Sequence, residues 1–267
     1  MTTIAAAHLR VPRATVKPMP LTRITAVELR KMFDTRSGFW LIASIAITSV
    51  LATVGVILWA PDGSLTYSTF ATAIRFPVVI ILPLIAILAV TSEWSQRTGL
   101  TTFTLVPHRS RIITAKAISS VGIAIAAMVI AFAVGALGNV IGAWIRGSAL
   151  IWDVTVTQCA YYVLGMVLSL LIGFMLGVLF RASTGAIVAY FVLTFLLPTV
   201  SGLLADSQHW FHTLQPWLDY QFAQAGLFVF DHVLTGQEWA QIAVTGITWL
   251  LIPMLIGLRL VMRTEVK

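Results

Sequence analysis

The apolar residues of this chain gather into six long runs with few charges, separated by short polar stretches. They fall at 38–60, 73–92, 114–144, 157–180, 185–204 and 240–260. Each reaches or approaches the roughly 20 residues a helix needs to cross a bilayer. The first, GFWLIASIAITSVLATVGVILWA, carries no charge at all. The third is longer than a crossing requires, so it tilts or extends past the hydrocarbon. The pattern predicts an all-α membrane protein with six transmembrane helices. Tryptophans 40, 59, 94, 144, 152, 239 and 249 are expected near span ends, where indole rings favour the interface.

The segments between the runs differ in kind. Residues 1–20 contain Pro12, Pro18 and Pro20 among scattered basic residues and read as a disordered tail. Residues 21–267 then form one membrane domain. Residues 22–37 fit a short interfacial helix, with Thr25 and Glu28 as a capping box. Leu21, Ile24, Leu29, Met32 and Phe33 share its apolar face, and Arg23, Arg30 and Lys31 reach toward headgroups. A cytoplasmic extension of the first span is the alternative. Residues 93–111 make the largest loop on one side. Residues 205–239 make the longest on the other, rich in Trp, Phe and His, as in short helices at the interface.

Charge gives the orientation. Of the 17 Lys and Arg residues, 15 fall on the side that holds both termini, and only Arg75 and Arg146 fall on the other. The positive-inside rule then makes both termini cytoplasmic, in a multi-pass protein of the cell membrane. The net charge of +7 reflects this topology. No basic patch on a soluble face speaks for nucleic acid.

Small residues mark close helix contacts. Gly165, Ser169, Gly173 and Gly177 lie four apart on one face of the fourth run, and Ala127, Ala131 and Gly135 repeat the rhythm in the third. These read as helix-packing seams, the two faces being natural partners, with a substrate-lining groove as the alternative. Pro83, Pro198 and Pro253 are expected to kink spans 2, 5 and 6.

The chemistry the sequence lacks narrows the function. No ionisable residue is expected deep inside a span, where proton- and sodium-coupled carriers place theirs. None of the four lysines (17, 31, 116 and 267) completes a G-K-[ST] phosphate loop, and no H-E-x-x-H or G-x-S-x-G occurs. No catalytic residue and no enzymatic activity are expected. Cys159 is the single cysteine and reads as a small apolar residue near a helix end. His209 and His212 beside Asp206 have metal-ligand spacing, but an aromatic-rich surface loop explains them as well. No metal or directly bound cofactor is expected.

The most specific stretch runs from Glu93-Trp94 through Arg97, Thr98 and Gly99 to Pro107, Arg109 and Arg111. Glu93 and Arg97 are placed i,i+4 to pair. Gly99 and Pro107 punctuate the loop, and Ser110 can cap the next helix. This stretch, with six spans, a surface helix and a long outer loop before span 6, resembles the permease subunits of type-2 ABC transporters. Thr98-Gly99 reverses the more usual Gly-Thr order. The resemblance covers about residues 22–262.

The resemblance implies a permease that pairs with a second permease subunit, as a homo- or heterodimer, and with ATP-binding cassette ATPase subunits that supply ATP and Mg. Residues 93–111 become the ATPase-coupling loop, carried by Glu93, Arg97, Thr98, Pro107, Arg109 and Arg111. Parts of 205–239 gate the exit. Tyr190, Thr194 and Pro198, four apart on span 5, become pathway-lining residues, with ordinary interhelix packing as the alternative. The expected role is ATP-driven export of a hydrophobic or amphipathic compound such as a drug, antibiotic or lipid. A stand-alone channel or secondary transporter is the alternative.

Overall fold

The structure, a computed structural model, describes residues 19–61, 63–95 and 109–263. All regular elements among them are helices. In chain order they are α1 (Leu21–Asp34), α2 (Arg36–Trp59), α3 (Tyr67–Ser95), α4 (Arg109–Arg146), α5 (Val156–Phe180) and α6 (Ser183–Ser207). Then come α7 (His209–Leu218), α8 (Tyr220–Gln224) with a 3₁₀ turn (Ala225–Phe228), and α9 (Gly236–Arg263). Helices α2, α3, α4, α5, α6 and α9 are long and apolar enough to cross a membrane. They match the six expected spans in order. The main difference is span 2, which begins at Tyr67, six residues before the expected 73.

Helix ends follow local chemistry. The chain breaks at Thr35, whose backbone is extended and whose hydroxyl accepts from Gly38 N–H at 3.2 Å. Helix α1 is therefore separate from span 1 and not an extension of it. Thr155 with Gln158 opens α5, and Thr235 with Glu238 opens α9, each as a full capping box. Asp153 crosses from the loop after α4 to the start of α3, where it accepts from Ser68 N–H at 2.8 Å and Ser68 O–H at 2.5 Å. Burial opposes ionisation of Asp153, but these bonds outweigh it and hold the carboxyl below its ordinary value.

Two expected caps are not formed. Thr25 lies inside α1 and donates back to Leu21 C=O at 2.9 Å, while Glu28 is drawn into a tertiary ion pair. Ser110 lies within α4, which already runs at Arg109.

The core sits where α3 meets α4 and α5. Val78, Leu82, Ala86 and Val90 of α3 are buried against Ala124, Ala127 and Ala131 of α4 and Met166, Leu170 and Phe174 of α5. Glycines on the small-residue faces of spans 3 and 4 turn to span 2. A Cβ on Gly173 would lie 2.6 Å from the carbonyl oxygen of Pro83, and one on Gly177 would lie 3.1 Å from Val90 Cβ. Gly135 faces Ile74, Tyr67 and Phe70 of the same helix. Span 2 is central because two glycine-lined helices can approach it only by presenting their small faces. Spans 1, 5 and 6 are peripheral. Span 5 has only 6% of its most apolar stretch buried within the chain, against 61% for span 4. Such exposed apolar surface suits lipid or another membrane subunit.

The prolines act in two ways. Pro83 has no N–H for the carbonyl four residues earlier, that of Val79. The hydroxyl of Tyr190 takes the vacated place, donating to Val79 C=O at 2.6 Å from a fully buried ring. Pro198 and Pro253 each follow a π turn by two residues, Val192–Leu196 in α6 and Ile247–Leu251 in α9. The wider turn relieves the clash between the proline ring and the preceding backbone, so these prolines reset the helix by widening it.

The Tyr190 bond gives a first prediction. Tyr190→Phe should cost about 1–2 kcal/mol by orphaning a buried carbonyl. In a Pro83→Ala background, the restored N–H satisfies Val79 C=O internally, so the same change should cost less. Thermal unfolding of the four proteins of this cycle measures the coupling. Equal costs in both backgrounds would show that Tyr190 does not serve that carbonyl.

Candidate functional site

Two regions gather polar chemistry, one at each end of the bundle. The first adjoins the loop after span 2. Glu93, Trp94 and Ser95 lie in the last turn of α3, and Arg109 and Arg111 in the first turn of α4. Arg97, Thr98 and Pro107 lie outside the described residues, as does the fold of the loop they belong to.

Beside these helix ends is a buried ionic cluster. Lys116, about two turns into α4, donates to Glu28 Oε2 at 2.5 Å and to Ala89 C=O of α3 at 3.1 Å. Lys31 donates to Glu28 Oε1 at 2.7 Å. Glu28 and Lys116 are only 5% and 6% exposed, so this pair is sealed from water. Burial alone would raise the Glu28 carboxyl. The two ammonium groups outweigh it and hold the group below its ordinary value. Ser119 O–H adds a bond to Thr25 C=O at 3.1 Å. Helix α1 is thereby fastened to spans 2 and 3 where the 93–111 segment leaves and rejoins them. Ile24 of α1 is buried and Met32 packs on the core, whereas Val27, Leu29 and Phe33 stay exposed. The expected single apolar face is therefore divided between the bundle and the outside.

The second region lies among α6, α7, α8 and α9. Two cavities adjoin it, of about 170 Å³ and about 400 Å³. Leu193, Leu197, Phe211 and Trp249 give the smaller one an apolar wall, while the larger is lined by Asp206, His212 and Gln215 among others. Asp219 and Gln221 line both. Of the expected pathway residues, Thr194 lines the smaller cavity and Pro198 the larger, and Tyr190 lies behind them against spans 2 and 4. Ser169, of the span 4 seam, approaches the Tyr190 hydroxyl at 3.4 Å.

The turn carrying Asp219 is held on both sides. Trp249 Nε1–H donates to Leu218 C=O at 2.8 Å, and Tyr220 O–H donates to Leu168 C=O of span 4 at 3.2 Å. Trp249 is thus a tertiary anchor within span 6, not the interfacial residue its type suggested. Among the described residues, no three His, Cys, Asp or Glu side chains form a group that could hold a metal ion.

Arg75 departs from the expectation that spans lack interior charge. The earlier start of span 2 puts it eight residues inside α3, about 12 Å from the helix end. Its guanidinium carbon lies 3.8 Å from the ring centroid of Phe228, a cation–π contact. Phe228 in turn meets Tyr162 edge-on at 5.2 Å and fills the space over Gly165, where a Cβ would collide with the ring. Gly165 therefore admits the 3₁₀ turn after α8, while Gly173 and Gly177 admit span 2.

Compared with protein-family models and with curated proteins, the chain matches none.

Proposed function

We propose that this chain is the membrane permease subunit of an ATP-driven exporter, working as a homo- or heterodimer with separate ATP-binding cassette subunits. The observation that carries this reading is the order of its parts. A separate helix precedes six spans, a basic segment joins spans 2 and 3, and a chain of short helices precedes span 6. The resemblance of residues 93–111 to a coupling loop points the same way. Both termini face the cytoplasm, and α1 lies at that membrane surface with Val27, Leu29 and Phe33 toward lipid. The Glu28–Lys116 cluster holds α1, span 2 and span 3 as one body, through which movement of the loop reaches the spans. Cargo passes beside spans 2 and 5. Its class is hydrophobic or amphipathic, as in multidrug efflux, because the exposed span surfaces carry little charge.

Two measurements test this. In a Cys159→Ser background, a membrane-impermeant thiol reagent applied to intact cells should label Gln208→Cys and leave Thr22→Cys unmodified. The reverse pattern overturns the orientation. The tagged chain, purified from its native membrane, should bring down an ATP-hydrolysing subunit, and vesicles containing both should show ATP-dependent transport. Glu93→Ala or Arg97→Ala should leave assembly intact but sharply reduce transport. On a merely exposed helix that pair is worth only about 0.2–0.5 kcal/mol, too little to matter. Wild-type transport in both variants rules out these side chains as couplers, and retained ATPase binding after deletion of 99–106 rules out the loop.

A secondary transporter is the second reading, favoured by Arg75 inside span 2. Full transport by the chain alone, driven by an ion gradient, would establish it.

A further inference from the structure

The turn between α7 and α8 holds a carboxylate with one half used and one half idle. Asp219 Oδ1 accepts from Gln221 N–H at 2.9 Å and Phe222 N–H at 3.1 Å, which caps α8 and fixes the plane of the group. Asp219 Oδ2 is buried and has no hydrogen-bond partner among the described residues. A buried acceptor without a partner is costly, and more so when it carries charge. No Lys or Arg stands among the described residues that line the two adjoining cavities. Among the described lining residues, none places a permanently charged cation beside Asp219, and His212 lines only the larger cavity.

The surroundings say what kind of group could. The smaller cavity is walled by Leu193, Leu197, Phe211 and Trp249, surfaces suited to a ring or short hydrocarbon. Its few polar atoms come from Thr194, Ser201, Asp219 and Gln221. The Asp219 turn is held in place by the Trp249 and Tyr220 hydrogen bonds, so the carboxylate is oriented before any ligand arrives. An apolar slot beside a fixed, half-used carboxylate complements a molecule with an apolar body and one protonated nitrogen.

We infer that the cavity between α6, α7 and α9 binds amphipathic amines, with the ammonium pairing with the Asp219 carboxylate and the apolar body lying against Trp249. This assignment does not depend on transport or on an ATPase, and it is measured by binding to this chain alone.

The test uses the full chain in lipid nanodiscs and two probes that differ only at the polar end, 3-bromobenzylamine and 3-bromobenzyl alcohol. Bromine quenches tryptophan on contact, so a probe against Trp249 gives saturable quenching. Nanodiscs without protein correct for partition into lipid. The wild type should bind the amine about tenfold or more tightly than the alcohol, as expected for one charge-assisted hydrogen bond. Asp219→Asn keeps the acceptor that caps α8 and removes the charge. It should therefore fold normally and lower amine affinity to that of the alcohol. Trp249→Phe should remove the saturable quenching. Equal binding of both probes to the wild type overturns the inference, as does an amine preference that survives Asp219→Asn. Saturable quenching that persists undiminished in Trp249→Phe would place the ligand elsewhere and also overturn it. Failure of ATP-dependent transport bears only on the export reading.

Discussion

Lys116→Ala should lower the stability of the solubilised protein by about 3 kcal/mol. Breaking a buried ion pair by removing one partner costs ~3–5 kcal/mol, because the other charge stays buried. The lower end applies because Lys31 still reaches Glu28 at 2.7 Å. For a chain of this size the thermal midpoint should fall by roughly 6–12 °C. Glu28→Gln combined with Lys116→Met removes both charges together and should recover much of the loss. An unchanged midpoint for Lys116→Ala would show that the pair does not fasten α1 to the bundle.

The same cluster sets a pH dependence. The Glu28 carboxyl titrates lower in the folded chain than its ordinary value of 4.5. The folded state thus prefers the ionised form. The stabilisation is fully present above pH 4.5 and is lost as pH falls through the lowered folded value. The acid limb of a stability–pH curve should flatten in the Glu28→Gln, Lys116→Met protein.

Gly173→Ala should be disproportionately harmful for the addition of one methyl group. Its Cβ would lie 2.6 Å from Pro83 O and 2.8 Å from Pro83 Cα, so the obstacle is backbone and cannot rotate away. Overpacking costs about 1–3 kcal/mol, and the upper end is expected here. Gly173→Leu should be worse and should reduce folded yield. Gly122→Ala in span 3 and Gly246→Ala in span 6 are the controls, since a Cβ there meets nothing within 4 Å. They should be neutral or stabilising by about 0.5–1 kcal/mol, as glycine is a poor helix residue. The measurement is thermal unfolding of the three alanine variants alongside the wild type. If Gly173→Ala matches its controls, spans 2 and 4 do not pack at this glycine.

The position of the helices was legible in the sequence because a bilayer demands long apolar stretches, and composition alone exposes them. Span 4 is an example. Expected at 157–180, it runs from Val156 to Phe180. Its start could have been read more closely still, because Thr155-x-x-Gln158 is a capping box in plain sight, as is Thr235-x-x-Glu238 before span 6. The residues that pack closely were also legible, since only glycine, alanine and serine permit backbones to approach.

The partners of these faces were not legible. The 165–177 stripe fits any small or concave neighbour, and only the assembled bundle shows that Gly173 and Gly177 receive span 2 while Gly165 receives Phe228. Spacing likewise suggested that Thr25 and Glu28 pair locally. Tertiary structure instead brought Lys116, 88 residues away, onto Glu28, because a buried carboxylate gains more from an ammonium than a cap would give. Proline positions announced local disturbance, yet Tyr190 became the donor for Val79 C=O only through the fold. Asp219 shows the division most plainly. Its place before Tyr220 marks it as a helix cap, a local matter that the sequence determines. That its second oxygen is buried beside an apolar cavity depends on four helices meeting there, which no local pattern encodes.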